Sequence, residues 1–119
     1  RFSKALILGL GFRPDVAEDA YSSTHLLHRA LDRARIEHGV VDPFFTPEFM
    51  KQRGLTSVTD PYAYGAETLF LVTYHSAFKT FDFKKFRQHG GKLVVDGRNC
   101  LDPAQVRSAG LDYLGIGRF

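Results

Sequence analysis

The sequence is poor in cysteine, with Cys100 as the single thiol in 119 residues. One cysteine cannot form an internal disulfide, and it has no second cysteine with which to build a zinc–thiolate site. Nothing in the cysteine content indicates an oxidising compartment. A reducing cytoplasm is therefore the expected location.

Long apolar runs and a strong charge excess are also missing. No run approaches the roughly 20 apolar residues that a membrane helix requires, and the first ten residues lack the cleavage pattern of a signal peptide. The net charge of +3 and the pI near 9.2 are too modest for a nucleic-acid binder. The densest basic stretch, Lys79 to Lys92, is interleaved with phenylalanines and is typical of a solvated helix surface. We therefore expect neither membrane insertion nor nucleic-acid binding, and a small phosphorylated ligand suits the charge better.

Short apolar runs alternate with amphipathic stretches along the whole chain, and 44% of the residues are hydrophobic. This alternation is typical of an α/β protein, and the length suits one compact domain over residues 1–119. We predict a three-layer α/β/α, doubly wound, Rossmann-like fold. Its sheet should be mostly parallel, with five to six strands.

The individual elements follow from the periodicity of the apolar residues. The predicted strands are Lys4–Leu10, Val40–Val41, a possible edge strand at Thr56–Val58, Thr68–Tyr74, Lys92–Asp96 and Leu111–Gly115. The predicted helices are Ser23–Glu37, Pro47–Arg53, Phe83–His89 and one opened by Asp102 and Pro103 that runs to about Ala109. Gly39 is predicted to end the first helix in a left-handed conformation.

Ligands of open parallel sheets bind outside the carboxyl ends of the strands. The residues that follow the predicted strands are therefore the candidates for ligand contact: Gly11, Phe12, Arg13, Asp42, Tyr74, His75, Arg98 and Asn99. Two arginines, an aromatic ring and backbone amides facing one crevice would suit a phosphorylated, hydroxyl-rich ligand.

Several of these signals also have a plain structural interpretation. The glycines of GLGF lack the third glycine of a dinucleotide fingerprint, so they equally suit a tight turn, and we do not infer an NAD site there. The charged cluster Asp96-Gly97-Arg98-Asn99 must meet a ligand, pair internally or reach water. Cys100 suits a small half-buried residue better than a nucleophile, because no histidine is spaced as an obvious local base. We therefore assign no catalytic residue.

The five histidines show no spacing typical of a metal site. His25 and His28 share a helix face, but we find no carboxylate or third ligand in register with them. No metal ligand is predicted.

Four segments, in order along the chain, together resemble a known family. They are GLGFRPD at Gly9 to Asp15, VVDP at Val40 to Pro43, VVDGRNCLDP at Val94 to Pro103 and GIGR at Gly115 to Arg118. They resemble the landmarks of the carboxy-terminal, UDP-binding domain of the UDP-glucose/GDP-mannose dehydrogenases.

The resemblance implies a parent enzyme that oxidises the primary alcohol of a nucleotide sugar to a carboxylate with two NAD. In that family the catalytic cysteine and the NAD fingerprint belong to the preceding domains, and the carboxy-terminal domain caps the UDP- or GDP-sugar. It supplies an aromatic and a cationic residue from the first loop and an arginine from the DGR turn, which correspond here to Phe12, Arg13 and Arg98. The remaining domains of the dehydrogenase are the implied partners, and whether the parent is a homodimer stays open.

The sequence also departs from the family pattern. The usual lysine of the first loop is Arg13, and the family's cofactor-contacting arginine run aligns with Ala20, Tyr21 and Ser22. Two rival hypotheses therefore stand beside nucleotide-sugar binding. One is a divergent, non-catalytic interaction module that has lost its ligand, and the other is a free-standing dinucleotide-binding enzyme, for which the glycine pattern is incomplete.

Overall fold

The computed structural model describes residues 3–10 and 23–115, and within them five strands alternate with helices. The strands are β1 (Lys4–Leu8), β2 (Glu37–Val41), β3 (Thr68–Leu71), β4 (Leu93–Asp96) and β5 (Asp112–Gly115). The α-helices are α1 (Ser23–Arg33), α2 (Pro47–Gln52), α3 (Phe83–Gln88) and α4 (Pro103–Ser108), and a 3₁₀ helix spans Ser76–Thr80. None of the helices in these two segments is long and apolar enough to cross a bilayer.

The five strands form one sheet in the order β2-β1-β3-β4-β5, and every neighbouring pair is parallel. The predicted α/β fold with a parallel sheet is therefore confirmed. Strand β1 lies between β2 and β3, with Ala5 opposite both His38 and Thr68. Ala5, Leu6 and Ile7 are fully buried, which confirms that this apolar run is covered on both faces.

Alternate side chains of the strands build two separate cores, one on each face of the sheet. On the first face, Ile7 and Val40 pack with residues of α1 and α2, such as Leu31 and Met50. On the second face, the core contains Leu6, Leu8, Leu69, Leu71 and Val94 from the strands with Phe86 of α3 and Val106 of α4. Helices therefore cover both faces, as the three-layer prediction requires.

The ends of the helices show how local sequence positions these elements. Helix α4 begins as predicted, because the Asp102 side chain accepts a hydrogen bond from Ala104 N at 3.0 Å and Pro103 occupies the first turn. Thr46 caps α2 in the same way, accepting from Phe49 N at 3.1 Å.

Several predicted boundaries were wrong. Gly39 does not end α1. The helix ends at Arg33, and Arg35 takes the left-handed conformation with φ 57°. Gly39 lies inside β2, where a Cβ would collide with Val58. The proposed edge strand Thr56–Val58 is reduced to an isolated bridge between Val40 and Ser57, and the strand predicted to reach Tyr74 ends at Leu71.

Candidate functional site

The carboxyl ends of β1, β2, β3 and β4 meet at one edge of the sheet, because all of the strands are parallel. The turn that leaves β1 is tight: Gly9 has φ 97°, and its N–H donates to Val41 O at 2.9 Å. A Cβ on Gly9 would lie 2.6 Å from the backbone nitrogen of Thr73. Gly9 is therefore required by the turn and by the close approach of the backbone at Thr73, which supports the plain interpretation for this glycine.

Asp42 and His75 are brought together at this edge, and both side chains are fully buried. Asp42 Oδ2 lies 2.7 Å from His75 Nε2 and also accepts a hydrogen bond from Leu10 N at 2.7 Å. Its other oxygen accepts from Phe44 N at 2.9 Å. Both residues were candidates for ligand contact, but their burial makes them positioning residues. Asp42 holds Leu10, the last described residue before residues 11–22.

Phe12 and Arg13, which the family resemblance predicts to contact the substrate, lie outside the described residues, as do Gly11, Ala20, Tyr21 and Ser22. Their roles remain predictions. The last described residue before them, Leu10, is at the carboxyl edge of the sheet, since it is bound to Asp42.

Asp96 organises the turn after β4 from a fully buried position. One oxygen accepts from Arg98 N at 3.0 Å, and the other accepts from Leu101 N and from the Tyr113 hydroxyl, both at 2.9 Å. Asn99 takes a left-handed conformation with φ 53°, which asparagine tolerates better than most residues. The sequence left open whether this charged cluster meets a ligand, pairs internally or reaches water, and Asp96 pairs internally. The turn that Asp96 holds carries Arg98.

Arg98 is held at the carboxyl edge between β3 and β4. Its Nε donates to Val72 O at 2.7 Å, which sets the plane of the guanidinium group. A cavity of about 380 Å³ opens beside it, lined by Leu27 of α1 and by Phe70, Val72 and Val95. The cavity lies on the face of the sheet that α1 covers, because Leu27, Phe70 and Val72 pack there.

A second cavity, of about 400 Å³, opens on the opposite face of the sheet and reaches Leu8, Val41 and Asp42. Its other walls include Tyr62, Phe78 and Phe81, and no arginine or lysine of the described segments lines it. Among the described residues, the first cavity therefore offers a cation to an anionic ligand and the second offers none.

Cys100 and Tyr74 are the remaining candidates near these turns. Burial, reinforced by nearby Asp96, raises the pKa of the Cys100 thiol to about 11, and its Sγ lies 3.8 Å from Asp96 Oδ1. The thiol is therefore protonated near neutral pH, which disfavours a nucleophile. Burial also raises the pKa of Tyr74, and its ring packs against the core of the second face, away from the Arg98 cavity.

One group of side chains was not predicted from the sequence. His28, Asp32 and His38 lie together at the opposite edge of the sheet. The prediction that no carboxylate lies in register with the helix histidines was wrong, because Asp32 follows His28 by four residues and shares its face of α1. That spacing was visible in the sequence. The contribution of His38, from the next strand, was not.

Comparison with known proteins gives the same assignment over most of the chain. The profile of the UDP-glucose/GDP-mannose dehydrogenase family, UDP binding domain, matches residues 6–103. The chain is 35% identical over 120 residues to the UDP-glucose 6-dehydrogenase of Pseudomonas aeruginosa, covering 92% of this chain and 26% of that protein. It is 32% identical over 119 residues to YtcA of Bacillus subtilis, covering 97% of this chain and 28% of that protein.

Among solved structures, the crystal structure of an NDP-N-acetyl-D-galactosaminuronic acid dehydrogenase from Methanosarcina mazei aligns with a TM-score of 0.78. The identity is 22%, and the alignment covers 98% of this chain and 25% of that chain. This similarity supports the fold.

The parallel sheet, with a core and helices on each face, defines the class: a doubly wound α/β domain. Domains of this class bind their ligands outside the carboxyl ends of the strands. Within that class, the chain belongs to the UDP-glucose/GDP-mannose dehydrogenase family and corresponds to its UDP binding domain. The family resemblance drawn from the four segments is thereby confirmed. The chain spans about a quarter of the length of the curated relatives it matches.

Proposed function

We propose that this chain binds the nucleotide part of a UDP- or GDP-sugar and caps the substrate of an NAD-dependent dehydrogenase, in a reducing cytoplasm. The observation that carries the proposal is the placement of Arg98. Its backbone is held by the buried Asp96 and its side chain by Val72 O, beside a cavity at the carboxyl edge of the sheet. A guanidinium group held in one orientation is suited to bind a diphosphate through paired hydrogen bonds.

Phe12 and Arg13 are proposed to complete the site from the loop after β1. They follow closely on Leu10, which Asp42 holds at the same edge. In this arrangement Arg13 adds a second cation for the diphosphate or the sugar hydroxyls, and Phe12 adds an aromatic surface. Leu27, Phe70 and Val95 form the apolar walls of the cavity, and Arg98 is exposed at its edge, where its remaining N–H groups can reach an anion.

The oxidation itself is proposed to take place in the complete enzyme. NAD accepts hydride in the parent dehydrogenase and is bound mainly by domains other than this one, while this chain binds and orients the substrate. Incubated alone with UDP-glucose and NAD, the chain should therefore produce no NADH.

Titration of the ¹⁵N-labelled chain with UDP, GDP and their sugars tests the proposal by NMR. We expect shifts in the turn around Arg98 and at the end of β3. Arg98→Ala should weaken binding by roughly 10- to 100-fold, as expected for one or two lost charged hydrogen bonds. Arg98→Lys should recover only part of that loss, because it keeps the charge without the planar fork.

Arg33→Ala provides the matched control. It removes the same charge from the exposed last turn of α1, which lies at the amino edge of the sheet. The proposal is wrong if nucleotides leave the Arg98 turn unshifted, or if the Arg33 and Arg98 variants lose affinity equally. A folded chain that binds none of these nucleotides would instead favour the hypothesis of a divergent interaction module, which the alanine at position 20 suggested.

A further inference from the structure

Two histidines and an aspartate lie together at the amino edge of the sheet, away from the crevice of Arg98. His28 and Asp32 project from successive turns of α1, and His38 is the second residue of the edge strand β2. One nitrogen or oxygen from each side chain lies within 4.8 Å of the other two. His28 Nδ1 is 2.7 Å from His38 Nε2, and Asp32 Oδ2 is 3.4 Å from His28 Nε2.

The backbone that joins the two elements holds this arrangement rigidly. Only three residues connect α1 to β2, and the middle one, Arg35, takes the left-handed conformation. Arg35 N donates to Asp32 O at 3.0 Å, and Ile36 N donates to Leu31 O at 2.9 Å. This short connection places His38 beside the last turns of α1, on the face of β2 that the helix covers.

The hydrogen bonds of His38 prepare it as a metal ligand. Its Nδ1 lies 2.8 Å from Ile36 O, and only a protonated Nδ1 can donate to a carbonyl. The lone pair of a neutral ring is then on Nε2, which accepts a hydrogen bond from His28 Nδ1, and a metal ion bound by both rings would take the place of that proton. Histidine ligands of metals in proteins are commonly fixed by such a bond from the second nitrogen to a backbone carbonyl.

Exposure and space also suit an ion. The His38 and His28 side chains are 6% and 17% exposed, while Asp32 is 62% exposed, so the group opens to solvent on one side. A cavity of about 210 Å³ lies against the three side chains and is bordered by Glu37, Gly54 and Thr56. Two nitrogen ligands of a tetrahedral zinc ion lie roughly 3.3 Å apart, given zinc–nitrogen bonds of about 2.0–2.1 Å. A separation of 2.7 Å therefore needs to widen by only about half an ångström.

We propose that His28, Asp32 and His38 form a binding site for a divalent transition-metal ion of the zinc class, with water completing the coordination. Two imidazoles and one carboxylate favour zinc and its neighbours over magnesium or calcium, which prefer oxygen ligands alone. The ion links α1 to β2. Because the site lies at the amino edge of the sheet, the ion has a structural role and does not contact the nucleotide.

Isothermal titration calorimetry with zinc chloride tests the site on the 119-residue chain carrying Cys100→Ser, which removes the single thiol as a competing ligand. We expect one zinc ion per chain and a melting temperature raised by zinc. His38→Gln and Asp32→Asn should each weaken binding by roughly tenfold or more. His89→Gln is the matched control, because His89 is an exposed histidine at the end of α3 whose Nδ1 contacts Lys85 O at 2.9 Å.

The side-chain NMR signals of the histidines provide a second measurement that needs no substitution at the site. Zinc should shift the ring signals of His28 and His38 and leave those of His89 unchanged. Absence of stoichiometric binding, or binding that survives both His38→Gln and Asp32→Asn in folded protein, would overturn the proposal. Neither result bears on nucleotide binding at Arg98.

Discussion

Replacing Asp96 with asparagine tests how far the turn that carries Arg98 depends on one buried carboxylate. Its two oxygens accept hydrogen bonds from two backbone N–H groups and one hydroxyl: those of Arg98, Leu101 and Tyr113. An asparagine side chain presents one oxygen and one NH₂ group. Whichever oxygen is replaced, at least one backbone N–H then faces another donor.

The cost of Asp96→Asn can be estimated from these contacts. A buried N–H without an acceptor costs about 1–3 kcal/mol, and the surviving bonds weaken by about 1 kcal/mol on losing a charged acceptor. The expected decrease in the free energy of unfolding is therefore about 2–4 kcal/mol. Tyr113→Phe removes one donor and leaves every backbone N–H with its acceptor, so it should lower the free energy of unfolding by only about 1.5 kcal/mol.

Urea unfolding followed by circular dichroism measures both variants against the unsubstituted chain. Asp96→Asn should also weaken UDP binding, because Arg98 depends on the same turn. If Asp96→Asn lies within about 1 kcal/mol of the unsubstituted chain, or is milder than Tyr113→Phe, the assignment of Asp96 as the organiser of this turn is wrong.

Three further predictions concern single positions. Gly9→Ala should lower the free energy of unfolding by at least about 2 kcal/mol, because φ is positive and the new Cβ meets the Thr73 backbone. Gly90 has a similar φ with open space around it, so Gly90→Ala should lower that free energy by about half as much in the same urea assay. Cys100, with its pKa near 11, should react with iodoacetamide about 100-fold more slowly at neutral pH than the urea-unfolded chain. Equal rates, read by mass spectrometry, would contradict the raised pKa. Tyr64→Phe should leave stability unchanged or raise it by about 1 kcal/mol, since no partner of the buried hydroxyl lies among the described residues; a clear loss would reveal one.

Sequence periodicity predicted the layers of the fold because the three central strands, β1, β3 and β4, are short apolar runs between polar turns. The run from Lys4 and the run from Lys92 stand out for this reason, and the Asp102-Pro103 pair marks the start of α4 through local chemistry alone. Gly39 was misplaced because its role depends on a distant contact. It avoids a collision with Val58, which no local pattern indicates.

The site was predictable to the extent that parallel strands bring their ends together. Placing Asp42, His75 and Arg98 at one edge required only the topology. The topology could not show that Asp42 and His75 bind each other and are buried, because they are 33 residues apart in sequence. The same limit hid His38, whose approach to His28 depends on the three-residue turn after α1.

A crystal structure of the chain with bound UDP measures the central claim most directly. We expect the diphosphate within hydrogen-bonding distance of the Arg98 guanidinium, on the face of the sheet covered by α1, with Phe12 and Arg13 bordering the same cleft. UDP bound instead in the cavity beside Asp42 and Tyr62, with Arg98 on the far side of the sheet, would contradict it.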